Sequence, residues 1–350
     1  MEVISLPLHY GKVPQWLFNR IKRLSSLIIE YLLEEYETHD ILEKFSDPLW
    51  FQSFGCFLGF DWHSSGITVT LTNALKKGFL ERDIPIYISG GKGKFALETP
   101  KEILNFSEKL NLNPDYFIYF SRLTAKIDNA CVQDKHNLYH HTFWFDNKGN
   151  WLVVQQGMNT LKRTARRYHI FSKTFKEITC EPHTGIIADN KEIKVLNLVS
   201  EKNKSIRESI VNLIKERSIN EIYKMPDRHI IKLKDINLKK IFEISLNFYN
   251  ENVNKFEDIL LIRGVGEKTL RALTLLSELI YGRKPDYSDP ARFSFAHGGK
   301  DGIPYRINKS TYDKTIEILE KILISKKGFR ESERTFLLRR IYYLVNEGAN

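Results

Sequence analysis

Cysteine is scarce in this sequence of 350 residues: Cys56, Cys131 and Cys180 are its three. None belongs to a Cys-x-x-Cys pair, and scattered thiols argue against a disulfide framework and against a structural zinc site. A run of about 18 or more apolar residues is also lacking, so no membrane span is predicted. The first residues, MEVISLPLHYGKVPQW, lack the basic and apolar progression of a secretory signal. We therefore expect a cytoplasmic protein without a membrane partner.

Acidic residues are outnumbered, mainly in the C-terminal part of the chain. The net charge is +10, and residues 201–350 hold 29 Lys and Arg against 21 Asp and Glu, which accounts for +8 of it. A basic excess favours a polyanionic partner, commonly nucleic acid. A Lys-rich solubilising surface has the same composition, so charge alone leaves both interpretations open.

Other features divide the chain at the same place. All five Trp and all three Cys precede residue 181, and the polar stretch SEKNKSIRES begins at residue 200. We predict a mixed α/β domain over residues 1–202, the candidate catalytic part. A mostly helical domain is predicted over residues 203–350.

Apolar periodicity predicts the elements of the first domain. Leu, Ile and Tyr recur every three or four residues within 13–45, which indicates helices. Residues 67–72 and 84–88 alternate apolar and polar positions and predict strands, and IKVLNLV predicts another. Residues 147–150, Asn-Lys-Gly-Asn, predict the turn of a hairpin. The fold class is therefore α/β, with a mixed sheet preceded by helices.

The stretch LIRGVGEKTL, residues 261–270, carries two glycines between apolar helical faces. Glycine permits a tight turn there, and the first amides of the following helix attract anions. The pattern resembles the helix-hairpin-helix DNA-binding motif, here spanning 254–281, whose turn contacts a phosphate without reading bases. An ordinary helical turn is the alternative. The candidate DNA-binding residues are Gly264, Val265, Gly266, Lys268, Thr269 and Arg271.

The stretch DWHSSG gathers a carboxylate, an imidazole and two hydroxyls before the strand predicted at 67–72. His63 is a candidate general base, and Asp61 a candidate metal ligand. A turn that satisfies its own hydrogen bonds is the alternative.

A glycine loop, SGGKGK, follows the strand predicted at 84–88. Its amides, with Lys92 and Lys94, are candidates for holding a phosphate, although the Walker A spacing is absent. A solvated turn is the alternative. If the two predicted strands pair antiparallel, which the short connection slightly favours, this loop and His63 converge; parallel pairing would separate them.

A run of acidic and His residues occupies 121–141. With His63, its candidate catalytic groups are Asp128, Asp134 and His140. Its candidate ligands for Mg²⁺ or Mn²⁺, with Asp61, are Asp128, Asp134 and His141. Surface ion pairs would explain each residue singly.

Three arginines follow within 163–167. Guanidinium groups suit phosphate contacts, and a solvated basic helix is the alternative. The candidate phosphate-binding arginines are Arg163, Arg166 and Arg167.

Several stretches together resemble the archaeal and bacterial family catalogued as domain of unknown function 763. They include DPLWFQSFGCFLGFDWHSSG, GGKGK, SRLTAKIDNACVQD, LYHH, WLVVQQGMN, ARRYH, DPARFSFAHGGKDGIPY and RGVGEKTL. The resemblance implies that the 261–270 hairpin belongs to the family pattern. It also implies Gly after Asp134, where this sequence has Lys135.

Three functions fit these patterns. We expect a DNA-binding protein, and the first hypothesis is a metal-dependent nuclease that acts on duplex or branched DNA in repair or recombination. A non-catalytic DNA-binding or repair-scaffold protein is the second. An RNA-processing enzyme is the third. No established nuclease signature decides among them.

Overall fold

The computed structural model describes residues 13–60, 65–188, 191–215 and 254–291. Asp61 and His63 therefore lie outside the described residues. In what is described, helices and an antiparallel sheet are combined, consistent with the predicted mixture of α and β structure.

Four helices begin the described chain: α1 (Gln15–Leu32), α2 (Thr38–Ser46), α3 (Pro48–Phe57) and α4 (Gly66–Glu81). The helices predicted over 13–45 are thus confirmed as α1 and α2. Helix α3 begins sharply because the Asp47 carboxylate accepts hydrogen bonds from the amides of Leu49 and Trp50, and Pro48 suits the first turn.

The strand predicted over 67–72 is wrong, because these residues form the first turns of α4. Ile67, Leu71 and Leu75 recur every four residues and are buried on one helical face. Two of the threonines that suggested a solvent-facing strand edge are also buried, since Thr68 and Thr72 face polar groups of the sheet. The question of how the two predicted strands pair therefore does not arise.

Within the described residues, seven strands form two sheets. They are β1 (Ile86–Lys92), β2 (Val132–Gln133), β3 (Asn137–Asp146), β4 (Trp151–Asn159), β5 (Thr164–Phe171), β6 (His183–Ile187) and β7 (Leu196–Asn197). The larger sheet has the order β1-β3-β4-β5-β6 with every pair antiparallel, and β2 pairs with β7. The predicted hairpin is confirmed as β3–β4. Of IKVLNLV, Leu196–Asn197 is a strand.

The remaining described helices are α5 (Lys94–Leu97), α6 (Thr99–Leu110), α7 (Pro114–Lys126), α8 (Lys204–Lys215), α9 (Phe256–Leu261) and α10 (Glu267–Tyr281). A π-helix, Ile127–Cys131, continues α7, and a 3₁₀ turn, Glu201–Asn203, precedes α8. No helix in these ranges is both long and apolar enough to cross a bilayer.

Helices cover both faces of the larger sheet. On one face, Trp144, Leu152 and Val154 pack against α1–α4. On the other, Phe143, Trp151 and Val153 share a hydrophobic cluster with α6, α7 and α8–α10. The apolar part of each sheet face is therefore shielded from water by helices, as layered α/β packing requires.

The boundary predicted near residue 202 falls inside one compact unit, Val3–Ser294. Within it, Ile206, Leu260 and Leu273 belong to the same hydrophobic cluster as residues of the sheet. The described part of the predicted C-terminal domain thus contributes to the core of the predicted N-terminal domain.

Candidate functional site

Strands β3, β4 and β5 are apolar at one end and polar at the other. Their polar end carries His140, His141, Gln155, Gln156, Arg166, Arg167, Tyr168 and His169, all buried. Because successive strand residues point to opposite faces of a sheet, these side chains divide into two networks.

The network beneath α3 and α4 contains His140 and Arg167. His140 Nε2 lies 3.1 Å from the Thr72 hydroxyl, and burial lowers the pKa of His140 to about 3. Arg167 donates to the Gln52 side-chain oxygen and to His169 Nε2, each at 2.9 Å. Burial lowers the pKa of Arg167 to about 9. His140, a predicted catalytic residue, is therefore a buried neutral group on this face of the sheet.

The opposite face holds the Asp134 network, which joins distant parts of the sequence. Arg166 lies 3.1 Å from Asp134 and grips both oxygens of Asp289 at 2.9 and 2.5 Å. Tyr168 donates to Asp134 at 2.7 Å, and the His136 amide donates to it at 3.0 Å. Burial raises the pKa of Asp134, but the hydrogen bond from His136 and the charge of Arg166 outweigh it, so the net pKa is lowered.

This arrangement corrects the expectation that Arg166 and Arg167 contact phosphates. Both are buried, and protein groups engage both guanidinium ends. A DNA backbone cannot reach them in this structure. Arg163 is the exposed member of the three and lies in the β4–β5 turn.

The Asp128 pair, meaning Asp128 and His183, lies on the same face as the Asp134 network. His183 Nε2 is 2.5 Å from one oxygen of Asp128, and the Gln155 amide is 2.5 Å from the other. Asp128 is fully buried, which raises its pKa despite the opposing charge of His183. Two predicted catalytic residues, Asp128 and Asp134, are thus brought to one region.

The His183 ring also lines a pocket of about 460 Å³. Its side chain is 7% exposed, whereas Asp128 is fully enclosed. Lys191, Ser200 and Asp289 contribute to the same wall, so the pocket lies between the Asp128 pair and the Asp134 network.

The described members of the predicted metal-ligand set, Asp128, Asp134 and His141, are each engaged by protein groups. His141 lies on the Asp128 side of the sheet but contacts Ser121 at 2.9 Å and Gln155 at 2.8 Å. A guanidinium already neutralises Asp134. Among the described residues no group of three or more His, Cys, Asp or Glu is arranged to hold a metal ion. Because Asp61 lies outside them, the Mg²⁺ or Mn²⁺ site stays a prediction.

The residues predicted as a glycine loop, 89–94, form the end of β1 and the turn just beyond it, and their amides are engaged within the protein. The Gly90 amide donates to Glu102 at 2.6 Å and the Gly93 amide to the Tyr139 carbonyl at 2.7 Å, so neither faces a ligand. Lys92 and Lys94 are exposed near the rings of Tyr139 and Phe95.

A second feature, the 262–266 turn, joins α9 to α10. Gly264 has φ of +92°, a conformation that favours glycine, and the Val265 side chain is buried beneath the turn. A Cβ atom at Gly264 or Gly266 would meet nothing within 4 Å in the described part of the chain. Open space therefore borders the first amides of α10. Thr269 is buried, and Lys268 is exposed.

The 262–266 turn is bonded to the segment that carries Asp128. Lys126 donates to the Val265 carbonyl at 2.5 Å. Gln133 donates to the Glu267 carbonyl at 3.0 Å and accepts from Arg271 at 2.9 Å. Arg271, a predicted DNA contact, is thus engaged with Gln133 and Glu267. The π-helix lies between the two anchor points, so the turn and the Asp128 pair share one structural support.

His183, Tyr168 and Asp289 were not among the predicted site residues. His183 counted only as one of several histidines in the middle of the chain, and Asp289 stands in the DPARF stretch far from any other candidate. Their contacts join residues 34 to 123 positions apart, which no local pattern encodes.

A layered α/β protein with a buried acid–histidine pair beside a pocket defines only a broad class. The chain belongs to the family described as protein of unknown function (DUF763), whose model matches residues 2–307. No curated protein and no solved structure matches it.

Proposed function

We propose that this chain is a DNA-binding protein that holds a backbone phosphate at the 262–266 turn. The observation that carries the proposal is that no atom of the described residues occupies the space at Gly264 and Gly266, beside the N-terminus of α10. Amide groups at a helix N-terminus and the helix dipole favour an anion there. The backbone geometry leaves room for a phosphate to approach them.

Charge supports the same assignment. Lys268 and Arg263 flank the turn and are exposed, and residues 201–350 carry most of the positive charge of the chain. Glu267 opposes them, but its carboxylate is bonded to Arg271. Contacts of this kind position a duplex without reading its sequence, so we expect weakly specific binding that falls steeply with salt.

The sequence hypothesis of a metal-dependent nuclease acting in repair or recombination is a further part of the proposal. Cleavage of nicked or branched DNA that requires Mg²⁺ or Mn²⁺ would support it. Binding that persists in EDTA without cleavage under any divalent ion favours the scaffold alternative. Tighter binding to RNA of matched structure favours the RNA-processing alternative.

A size series at Gly266 tests the turn. Gly266 has an extended φ of −154°, which Ala and Val can adopt, and an added Cβ would meet no atom of the described residues within 4 Å. Loss of one charge-assisted contact costs about 1.5–3 kcal/mol, so Gly266→Val should weaken DNA binding by roughly tenfold or more. Gly266→Ala should weaken it less. Fluorescence anisotropy with labelled duplex measures the affinity.

Two controls separate binding from folding. The unfolding midpoint of both variants should match that of the parent, since no protein contact changes. Lys268→Gln should lower the slope of log affinity against log salt by about one, whereas Lys284→Gln, beyond the end of α10, should not. Unchanged affinity across the Gly266 series would show that the turn is structural.

A further inference from the structure

Helix α1 exposes a line of large apolar side chains to solvent. Trp16, Leu24, Leu27 and Tyr31 are 60%, 43%, 39% and 56% exposed. They are eight, three and four residues apart in turn, so they lie on one face of the helix. We call these four residues the α1 stripe, and it extends over about four turns of helix.

The opposite face of α1 packs inside the fold. Its buried residues are Ile21, Ser25, Ser26 and Ile29. A Cβ atom at Gly78 would lie 1.8 Å from Ser26 Oγ, so α4 approaches this face closely. The helix is therefore held against the protein on one side and presents the α1 stripe on the other.

Charge is divided between the two ends of α1. The N-terminal half carries the basic residues Arg20, Lys22 and Arg23, and the C-terminal end with the turn after it carries the acidic residues Glu30, Glu34 and Glu35. A helix dipole favours the reverse order, and α1 has no acidic residue in its first turn and no basic residue in its last. The charge order therefore does not stabilise α1 as a single helix.

Only two of these six charges are used inside the described fold. Lys22 pairs with Glu81, and Glu30 pairs with Arg82. The Arg20 guanidinium lies along the α1 stripe, 5.3 Å from the centre of the Trp16 ring. Four side chains form no ion pair with any described residue: Arg20, Arg23, Glu34 and Glu35. The apolar stripe is thus bordered by unpaired basic groups at one end and unpaired acidic groups at the other.

We propose that the α1 stripe is the contact surface between two copies of this chain, related by a two-fold axis near Leu24 and Leu27. Such an axis sets the two α1 helices antiparallel, so the basic end of each helix lies against the acidic end of the other. The central leucines pack together, and both unpaired charge clusters gain partners of opposite sign. Because one helix supplies both a surface and its complement, a second copy of the same chain fits it.

The area of the surface indicates how stable the dimer is. The four apolar side chains expose roughly 400 Å², about half of the roughly 800 Å² per partner of a standard interface. The long charged side chains along the stripe form the rim of the contact. We therefore expect a monomer–dimer equilibrium that depends on concentration.

A two-fold dimer carries two 262–266 turns. A DNA molecule that contacts both turns would bind more tightly than one that contacts a single turn. This consequence rests on the proposed function, whereas the dimer does not, because its formation is measured without DNA. Failure of the Gly266 series would leave the dimer in place.

Sedimentation equilibrium of the full chain tests the association. The average mass should rise with concentration from 41.1 kDa toward twice that value. Leu27→Glu puts a charge at the centre of the contact and should weaken association by roughly 30-fold or more. Leu104→Glu on α6 changes a helical leucine that is also 39% exposed, and it should leave association unchanged. A parent chain that stays monomeric at every concentration would overturn the proposal.

A charge exchange tests the antiparallel arrangement. One variant carries Arg20→Glu with Arg23→Glu, and the other carries Glu34→Arg with Glu35→Arg. Each should associate more weakly than the parent, because like charges then meet at both ends. An equimolar mixture should recover association, because one helix is then acidic and the other basic along its length. A mixture that associates no better than its components would contradict the pairing.

The stability of the dilute monomer separates a contact between copies from a contact within the chain. At a concentration where the parent is monomeric, Leu27→Glu and Leu104→Glu should lower the urea midpoint equally, since the two leucines are equally exposed. A clearly larger loss for Leu27→Glu would mean that a segment outside the described residues covers the α1 stripe. That result would refute the dimer contact.

Discussion

At the scale of single residues, the sequence identified the region of the candidate site but did not show on which face of the sheet each residue lies. Asp128, Asp134, His140 and His141 were predicted as one set because they lie within 14 positions of each other. The alternation of β3 sends His140 toward Thr72 and His141 toward Ser121, on opposite sides of the sheet. That division depends on the ends and register of a strand, which composition does not determine.

At Lys135, by contrast, the family pattern gave correct local information. The position where the pattern has Gly is a turn in this structure. The resemblance implied Gly after Asp134, and Lys135 adopts φ of +68°, where glycine is favoured. The turn persists because the Asp134 side chain accepts the His136 amide, two residues on. A tight turn is thus present despite the lysine.

This strain predicts the effect of two substitutions. A left-handed non-Gly residue costs roughly 1–2 kcal/mol, and glycine recovers that at an entropy cost of up to roughly 1 kcal/mol. Lys135→Gly should therefore stabilise the fold by up to about 1 kcal/mol, and Lys135→Val, which is β-branched, should destabilise it. Urea denaturation of both variants measures the difference. Destabilisation by glycine would mean that the lysine side chain makes a contribution larger than its strain.

At the scale of elements, helices and strands were predictable wherever the apolar period extended over a long segment. Helices α1 and α2 and the β3–β4 hairpin followed from such segments. The strand prediction for residues 67–72 failed because six residues with alternating threonines match a strand, and the helical repeat of Ile67, Leu71 and Leu75 appears only when the window is extended. Burial of Thr68 and Thr72 came from partners on β3 and β4 that no local pattern reveals.

The β1–β3 pair depends on the absence of a side chain at Gly90. Gly90 has φ of +94°, and a Cβ there would lie 2.3 Å from the His141 carbonyl oxygen. Gly149, in the hairpin turn, has φ of +86° but no described atom within 4 Å of an added Cβ. Gly149→Ala should therefore cost roughly 1 kcal/mol from backbone strain alone. Gly90→Ala should cost at least about 2 kcal/mol more, because two strands must separate.

Equilibrium denaturation of the two alanine variants measures that difference. The matched φ values cancel the strain, so the excess for Gly90 reports the close approach of β1 to β3. Equal losses at the two positions would contradict this account of the sheet edge.

At the scale of the whole molecule, the basic excess of the C-terminal part suggested a separate domain, but its described helices share a core with the sheet. Charge distribution reports surface composition, whereas the core is set by long-range contacts such as those of Leu260 and Leu273. One consequence is that packed helices cover the polar networks on both faces of the sheet. Their buried histidines then link the stability of the fold to pH.

Three buried histidines predict acid sensitivity. Burial lowers the pKa of His140 to about 3 and of His141 to about 4, and that of His169 lies well below its ordinary value. In the unfolded chain each titrates near 6.5. The unfolded state therefore binds more protons below about pH 6.5, and stability present above that pH is lost as the pH falls toward 4. Each histidine contributes up to about 1.4 kcal/mol per pH unit.

Asp128 acts in the opposite direction, since its raised pKa lets the folded state take up a proton as the pH falls. Between pH 7.5 and 5.5 one carboxyl can offset at most about two of the histidines, so the three histidines prevail. The free energy of unfolding should fall by about 1–4 kcal/mol between pH 7.5 and 5.5, a sizeable share of the roughly 5–15 kcal/mol typical of a domain. Urea denaturation across this range measures the slope, and His141→Gln should flatten it by up to one proton. A free energy independent of pH in this window would mean that these imidazoles reach water, which would contradict the sealed networks on both faces of the sheet.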